Sequence, residues 1–341
     1  MRISRAQTIA LQLGRAGRRL KAPLVRFHHG LLRAKARLLR RGSYVKESFV
    51  GSDPCAQSNQ AAVYVSFDKN GIVHDYVIHQ LQQLVAAGFR ITFVSNSPSF
   101  PARARARLSP FCKQLIWRHN VGHDFGAYKD GIASIAPLGS LDALLLMNDS
   151  VYGPFCDIRD MVAAIDRTST DFWGIADSWE HRHHLQTFFM LFFPGALQSA
   201  AFTQFWAELP YVDNKWWVVL NGEVGLSQTL QQAGLRPAVL APYWSVHAAM
   251  KSKLADLHEE ATAQPNIRRF VARIVGDQPV NPMQYFWDVL ITDFGCPFIK
   301  KDLLSKNPAG IPFVEQWPAI IAGASDYDIG LIEKHLRSAQ L

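Results

Sequence analysis

Five consecutive apolar residues, Ala143-Leu144-Leu145-Leu146-Met147, run without a polar interruption and stop at Asn148-Asp149-Ser150. A strand with one wet face would alternate, whereas a run apolar at every position suits a strand covered on both faces, as in a parallel sheet with helices on each side. A shorter run, Leu115-Ile116-Trp117, lies upstream. Between the two, residues 120–126 have loop composition and residues 127–135 can form a helix, so the pattern predicts strand, loop, helix, strand. Ligands of such sheets sit at the carboxyl ends of strands. The loop at 120–126 and the strand end at 148–150 would then face one crevice, bringing the carboxylates of Asp124 and Asp149 together. Asn-Asp-Ser ahead of Gly153-Pro154 is also ordinary turn chemistry. The upstream loop Asn120-x-Gly122-x-Asp124-x-Gly126 adds what a turn alone lacks: two glycines that let backbone approach a ligand where one carboxylate projects.

Length and charge narrow the rest. A chain of 341 residues with 48% hydrophobic side chains can bury one large α/β core or two smaller ones. Cys55, Cys112, Cys156 and Cys296 form no C-x-x-C pair, which argues against a zinc site or a disulfide framework and fits a reducing cytoplasm. The formal charge of +8 is concentrated: residues 1–46 hold 13 Lys or Arg and no Asp or Glu, leaving 23 basic and 28 acidic side chains over the remaining 295. That arm reads as one or two amphipathic basic helices, with Ile9, Leu13, Leu20 and Leu31 threaded among arginines. It could lie on an anionic membrane surface, attract nucleic acid, or be a solvated tail or targeting peptide. The acidic balance beyond it and the lack of a recognition module argue against a nucleic-acid binder. No apolar run is long enough for a transmembrane helix, and the N-terminus lacks the apolar core of a secretory signal. Residues 47–60, with Gly51, Ser52, Pro54 and Ser58, read as a linker.

Residues 61–67 are a strand ending at the turn Asp68-Lys69-Asn70-Gly71, residues 73–87 a helix stopped by Gly88, and residues 89–94 a second strand, which makes a βαβ unit. Further on, 157–167 and 194–209 are helix candidates, 171–177 a strand, and 185–193 a buried apolar strand. His181, His183 and His184 lie in an irregular run without the carboxylate or cysteine spacing of a metal site, so polar loop residues are the better reading. Residues 221–232 read as a helix opened near Glu223, closed by Gly234 and followed by a short strand at 237–240. Glu223 there can complement the helix dipole or act as a base in the crevice; position alone does not choose. The C-terminal third contains a helix, a tight turn at Gly295 and the basic pair Lys300-Lys301.

Taken together, VYVSFDKNGIVHDYV, FRITFVSNS, NVGHDFGAYKDGI, LLLMNDSVYGPF, FWGIADS, HLQTFFMLFF, GEVGLSQTLQQAG and NP…FWDVLITDFGCPFIKKDLL resemble the rhamnan synthesis protein F family, in order, over residues 61–307. The resemblance implies a GT-A-like α/β nucleotide-sugar-binding sandwich with a mostly parallel sheet. It would be preceded by the arm at 1–46 and the linker at 47–60, and followed by a C-terminal extension at 308–341. It further implies a glycosyltransferase of inverting type that moves L-rhamnose or a related deoxyhexose, as from dTDP-rhamnose, to a cell-surface polysaccharide or lipopolysaccharide, at the cytoplasmic face of the membrane. The alternative is a non-catalytic glycan-binding or scaffold protein on the same fold. Asn120, Gly122 and Asp124 match the glycine-containing loop beside the donor. Asn148-Asp149-Ser150 stands where a D-x-D motif would hold Mg²⁺ or Mn²⁺ and the diphosphate, with Asp149 its one acid. Glu223, three residues before Leu226, matches the general base, and Ser66 and Asp68 fall where the donor nucleoside is met. Asp149 with a metal, or Lys129 and Arg118 without one, would compensate the leaving diphosphate.

Overall fold

The computed structural model describes residues 30–36, 38, 44–135, 137–255 and 264–339. Most of the basic arm expected at 1–46 therefore lies outside the described residues. In chain order the elements are β1 (Val45–Val50), β2 (Gln60–Ser66), α1 (Asp75–Ala86), β3 (Arg90–Ser95), α2 (Ala102–Leu108), β4 (Cys112–Arg118), α3 (His123–Ala133), β5 (Ala143–Asn148) and β6 (Val151–Tyr152). They continue with α4 (Ile158–Ala163), β7 (Phe172–Ser178), β8 (His184–Leu185), β9 (Phe189–Phe192), α5 (Pro194–Leu197), α6 (Ala200–Glu208), α7 (Lys215–Val218), α8 (Val224–Gln232), β10 (Pro237–Ala241) and α9 (Tyr243–Ala255). The last are α10 (Pro265–Val275), α11 (Pro282–Tyr285), α12 (Trp287–Thr292), β11 (Ile299–Lys300), α13 (Lys301–Ser305), α14 (Trp317–Ala324) and α15 (Gly330–Ala339).

The main sheet runs β1-β4-β3-β2-β5-β9-β7-β10, with β8 paired to β7. Strands β4, β3, β2, β5, β7 and β10 share one direction, while β1, β8 and β9 oppose it. The α/β class with a mostly parallel sheet is thus as expected. The run at 143–147 shows why it had to be apolar throughout. Ala143, Leu145 and Met147 join the core under α1, which supplies Leu81 and Leu84. Leu144 and Leu146 join a second core on the opposite face with Phe125 and Ile132 of α3 and Leu226 of α8. Successive side chains of a strand point to opposite faces, and here both are dry. Truncating one such fully buried leucine costs about 2–5 kcal/mol.

Several boundaries differ from the sequence reading. The expected linker at 47–60 begins as edge strand β1, antiparallel to β4, and is then fastened by Asp53 to Arg90 through a 2.6 Å ion pair. Its polar composition misled because an edge strand needs only one buried face. Of the C-terminal extension expected at 308–341, the described residues 308–339 pack on the domain: Ile321 of α14 and Ile332 of α15 are fully buried in the core under α1. The helix expected at 127–135 starts at His123, after Gly122 in a left-handed conformation at φ 81°. The helix expected at 194–209 is broken into α5 and α6, with Ser199 capping the second through Phe202 N. Glu223 does immediately precede α8, but that is not where helical structure begins: it ends a π-helical turn, residues 219–223, that joins α7 to α8.

Candidate functional site

The carboxyl ends of β2, β3, β4 and β5 lie side by side, and the residues just past them form the site. Asp149, one residue beyond β5, is fixed by its backbone, whose N–H donates to Val65 O at 3.0 Å. Its Oδ2 accepts from Ser66 Oγ at 2.9 Å and from Phe67 N at 3.3 Å, and lies 3.4 Å from the Lys301 ammonium. Asn148, almost fully buried, accepts from Ser150 N through its Oδ1 and donates through Nδ2 to Asp124 Oδ2 at 3.1 Å. Asp124 and Asp149 therefore flank one asparagine, as the strand-end argument anticipated.

Asp124 is held on the first turn of α3, where an acid is usually favoured by the helix dipole. Burial outweighs that advantage: together with the Asp149 charge it lifts the Asp124 carboxyl to about 6. Lys300 opposes the shift, and Glu223 adds to it. Both glycines are also demanded by the fold itself. A Cβ on Gly126 would meet Val121 O at 2.4 Å, and Gly122 has the positive φ that only glycine adopts without strain.

Glu223 reaches the same crevice from the opposite side. Its Oε1 accepts from Thr187 N at 3.0 Å and Thr187 Oγ1 at 3.3 Å. Thr187 O in turn accepts from Tyr128 OH of α3 at 3.0 Å, and the neighbouring Phe188 O accepts from Asn148 N at 3.1 Å. The segment between β8 and β9 thus ties Glu223 to Asn148. A π-turn places Glu223 there, and such turns recur at functional sites because they rotate a side chain out of the regular helical register.

Other expected site residues are otherwise engaged. Asp68 organises its own turn: Oδ1 accepts from Asn70 N and Ile72 N at 2.8 and 2.9 Å, and Oδ2 lies 3.2 Å from His74. Although burial alone would raise it, His74 and those amides hold Asp68 down to about 2. Asn120 stands half-buried in the turn between β4 and Gly122. Two residues expected near the leaving diphosphate are paired with protein groups instead. Arg118 is fully buried, bridging Asp130 at 2.6 Å, Asn96 Oδ1 at 2.7 Å and Val121 O at 2.8 Å. Lys129 donates to Ala207 O and Leu209 O at the end of α6, 3.0 and 2.6 Å away. Both are structural cations. The histidines disperse: His183 pairs with Asp177 at 3.0 Å, His184 with Arg182 O at 2.8 Å, and His181 meets the Trp216 ring edge at 5.1 Å.

Sequence reasoning missed the opposite wall. Lys301 reaches Asp149 and also donates to Tyr76 OH at 2.7 Å. His335 of α15 contacts Tyr152 OH at 2.6 Å and packs edge-on to His74, 4.4 Å between ring centroids. Burial, with His74 and Lys301 nearby, drives His335 down to about 4. The basic pair at 300–301 was visible as a motif; nothing in Thr187 or His335 announced a place in the site.

Mg²⁺ or Mn²⁺, the cofactor a D-x-D position implies, meets a donor set that does not suit it. Asp149 Oδ2 already takes a hydroxyl, an amide and an ammonium. Unit charges about 4 Å apart near a protein surface repel by about 4 kcal/mol, and a divalent ion beside Lys301 would feel about twice that. Asp124, the second carboxylate, faces Asn148 and has a raised pKa.

Residues 91–255 match the family model for rhamnan synthesis protein F. The virulence protein VirA of Vibrio anguillarum is 30% identical over 226 residues, 64% of this chain and 70% of that protein. The uncharacterized protein y4gN of Sinorhizobium fredii (strain NBRC 101917 / NGR234) is 26% identical over 322 residues, 82% of this chain and 79% of that one. Among solved structures, the glycosyltransferase GlyE of Streptococcus pneumoniae TIGR4 aligns at a TM-score of 0.39 and 13% identity, over 83% of this chain and 64% of GlyE, just under two thirds. The galactosyltransferase LgtC, solved with donor and acceptor sugar analogs, aligns at a TM-score of 0.35 and 14% identity, over 81% of this chain and 100% of LgtC. Matching that family model across the segment holding Asp124, Asp149 and Glu223, and sharing 30% identity with VirA over most of VirA's length, the chain belongs to the rhamnan synthesis protein F family.

Proposed function

We propose that the chain is a GT-A-like glycosyltransferase that moves a sugar from a nucleotide donor to a glycan hydroxyl, with inversion. The donor we assign is an L-rhamnosyl nucleotide such as dTDP-rhamnose, on the strength of the family. The observation that carries the reading is the convergence of Asp149, Asp124 and Glu223 at the carboxyl ends of parallel strands, tied together through Asn148 and Thr187. Ser66 and the half-exposed Phe67 would meet the nucleoside, Phe67 offering a ring face to the base. Asn120 and Gly122 line the loop beside it, and Asn148 with Ser150 hold the turn under the diphosphate.

Glu223 is the base. One of its oxygens is held by Thr187; the other, Oε2, takes no hydrogen bond among the described residues and is available to an acceptor hydroxyl. As the acceptor oxygen bonds to the anomeric carbon, its proton passes to Glu223. The bond from that carbon to the diphosphate oxygen breaks, and its electron pair leaves with the nucleoside diphosphate. The basic arm would hold the enzyme at an anionic membrane surface where a lipid-linked acceptor is presented. No helix among the described residues is long and apolar enough to cross a membrane.

The test uses water as the acceptor. Full-length protein should bind dTDP in preference to UDP and GDP, and should release dTDP slowly from dTDP-rhamnose. Glu223→Gln should keep dTDP affinity and lose turnover by about 10²–10⁴-fold, the range of a general base. Turnover retained in Glu223→Gln removes the base assignment, and glycan binding without any nucleotide binding turns the reading to a scaffold protein.

A further inference from the structure

The lysine pair at 300–301 is brought to the site by a short two-stranded sheet whose Val151, Tyr152 and Ile299 are buried in the core. Strand β11 pairs antiparallel with β6, Ile299 opposite Tyr152 and Lys300 opposite Val151, and Lys301 N donates to Ser150 O at 2.9 Å. Because β6 starts directly after Asn148-Asp149-Ser150, this two-stranded sheet lays both lysines against that turn. Consecutive side chains of an extended segment leave it on opposite sides. Lys300 lies over the Phe188 ring, 4.9 Å from its centroid, and its charge acts on Asp124. Lys301 lies on the other side, 3.4 Å from Asp149 and 2.7 Å from Tyr76 OH, with its ammonium 5.1 Å from the Tyr76 ring centroid. The hydroxyl of Ser150, the residue whose carbonyl meets Lys301 N, is buried with no hydrogen-bond partner among the described residues.

We propose that Lys300 and Lys301 form the diphosphate-binding site of this enzyme and take the place of a divalent cation. The inference rests on the donor-site reading above. An ammonium is a compact point charge with three donors on a flexible stem, so Lys301 can trade Asp149 for a phosphate oxygen without moving the backbone that β6 and β11 fix. Lys300 approaches the same group from the Asp124 side, and the Ser150 hydroxyl supplies a neutral donor. When the anomeric C–O bond breaks, its electron pair becomes charge on the diphosphate oxygen, which the two ammonium groups face. Each lysine is thus a binding group in the ground state and a stabiliser of the leaving group as charge develops.

The test is calorimetric titration of the full chain with dTDP, UDP and GDP, each in buffer containing EDTA and in buffer containing Mg²⁺. The expected result is dTDP binding in EDTA within about twofold of that in Mg²⁺, since the cation adds nothing the lysines lack. Lys301→Met and Lys300→Met should each weaken dTDP binding in EDTA by about ten- to a hundredfold, the worth of one charge-assisted hydrogen bond. Lys301→Arg should retain most of it, and Lys300→Met, on the more open side, covers the case in which Lys301→Met fails to fold. Binding that appears only with Mg²⁺ overturns the lysine assignment and leaves the donor site standing. Metal-independent binding unchanged in both Met variants overturns it as well. No nucleotide bound under either condition overturns the donor-site reading itself.

Discussion

Two polar clusters occupy the same end of one sheet and are built to opposite rules. At the end of β4 each of the three guanidinium nitrogens of Arg118 donates to an acceptor: Asp130, Asn96 and the Val121 carbonyl, while Tyr211 closes the other side of Asp130. At the end of β5 the groups are equally polar but unfinished. Asp124 sits with a raised pKa, and among the described residues the buried Ser150 hydroxyl has no partner and one oxygen of Glu223 has no hydrogen bond. A completed buried network stiffens a fold, whereas unmet hydrogen-bonding capacity is what a ligand's polar atoms can fill. Both clusters are made of Arg or Lys, Asp, Asn and backbone carbonyls, so residue type does not separate them.

The contrast breaks most sharply at Arg118. Replacing it with leucine takes the ion-pair partner from Asp130, whose side chain is 9% exposed, and losing one partner of a buried pair costs about 3–5 kcal/mol. Urea unfolding should show the loss as a lower midpoint with little change in slope. A midpoint within about 1 kcal/mol of the wild type would mean that the β4 cluster is no more structural than its neighbour, since that is the worth of an exposed pair.

Asp124→Asn tests the other cluster and should go the opposite way. Its folded pKa of about 6 lies above the unfolded value, so the folded chain holds the extra proton across the window between them. The folded state binds more protons there, and stability falls as pH rises from about 4 to about 6. Above that window the ionised Asp124 is a net cost on the order of 3 kcal/mol, each pKa unit being about 1.4 kcal/mol. The amide keeps an acceptor for Asn148 and carries no charge. The variant should therefore be more stable than the wild type at pH 7.5 and equal to it near pH 4, by thermal unfolding at both. A variant less stable at pH 7.5 would show that the carboxylate is satisfied after all.

Much of the fold was legible in sequence because it follows from one repeated demand: strands with two dry faces are predominantly apolar, as 61–65 and 143–147 are. The juxtaposition of Asp124 and Asp149 followed from the same topology. What was not legible depends on partners distant in sequence. Edge strand β1 looks like a linker because only Val45 and Phe49 of its side chains pack against the cores, and both are only partly buried. Lys300 and Lys301 acquire meaning only when β11 meets β6, an association of short strands that no local periodicity encodes. Arg118 and Lys129 looked available because nothing in the sequence around them reveals their acceptors, which include Asp130 on α3 and the carbonyls at the end of α6. Glu223 was placed one helix start too late because α7 and the π-turn that precede it are short and rich in tryptophan and valine, which have modest helix propensity.

Lys129 gives the smallest effect and sharpens the comparison most finely, because it lies within α3 close to the site yet belongs to the structural class. Its ammonium donates to the last carbonyls of α6 and lies 5.2 Å from the Tyr211 ring centroid. Cations there complement the negative end of the helix dipole, an effect of about 0.3–1 kcal/mol, and a charge-assisted hydrogen bond adds about 1.5–3 kcal/mol at most. Lys129 is partly exposed, so Lys129→Met should cost about 1 kcal/mol of unfolding free energy, the thioether replacing much of the stem's packing. Its dTDP affinity should stay within about twofold, in contrast to the losses expected at Lys300 and Lys301. If Lys129→Met instead weakens nucleotide binding tenfold with stability unchanged, the carbonyls of α6 are not its working partners. The line between the two clusters would then have to be redrawn through α3.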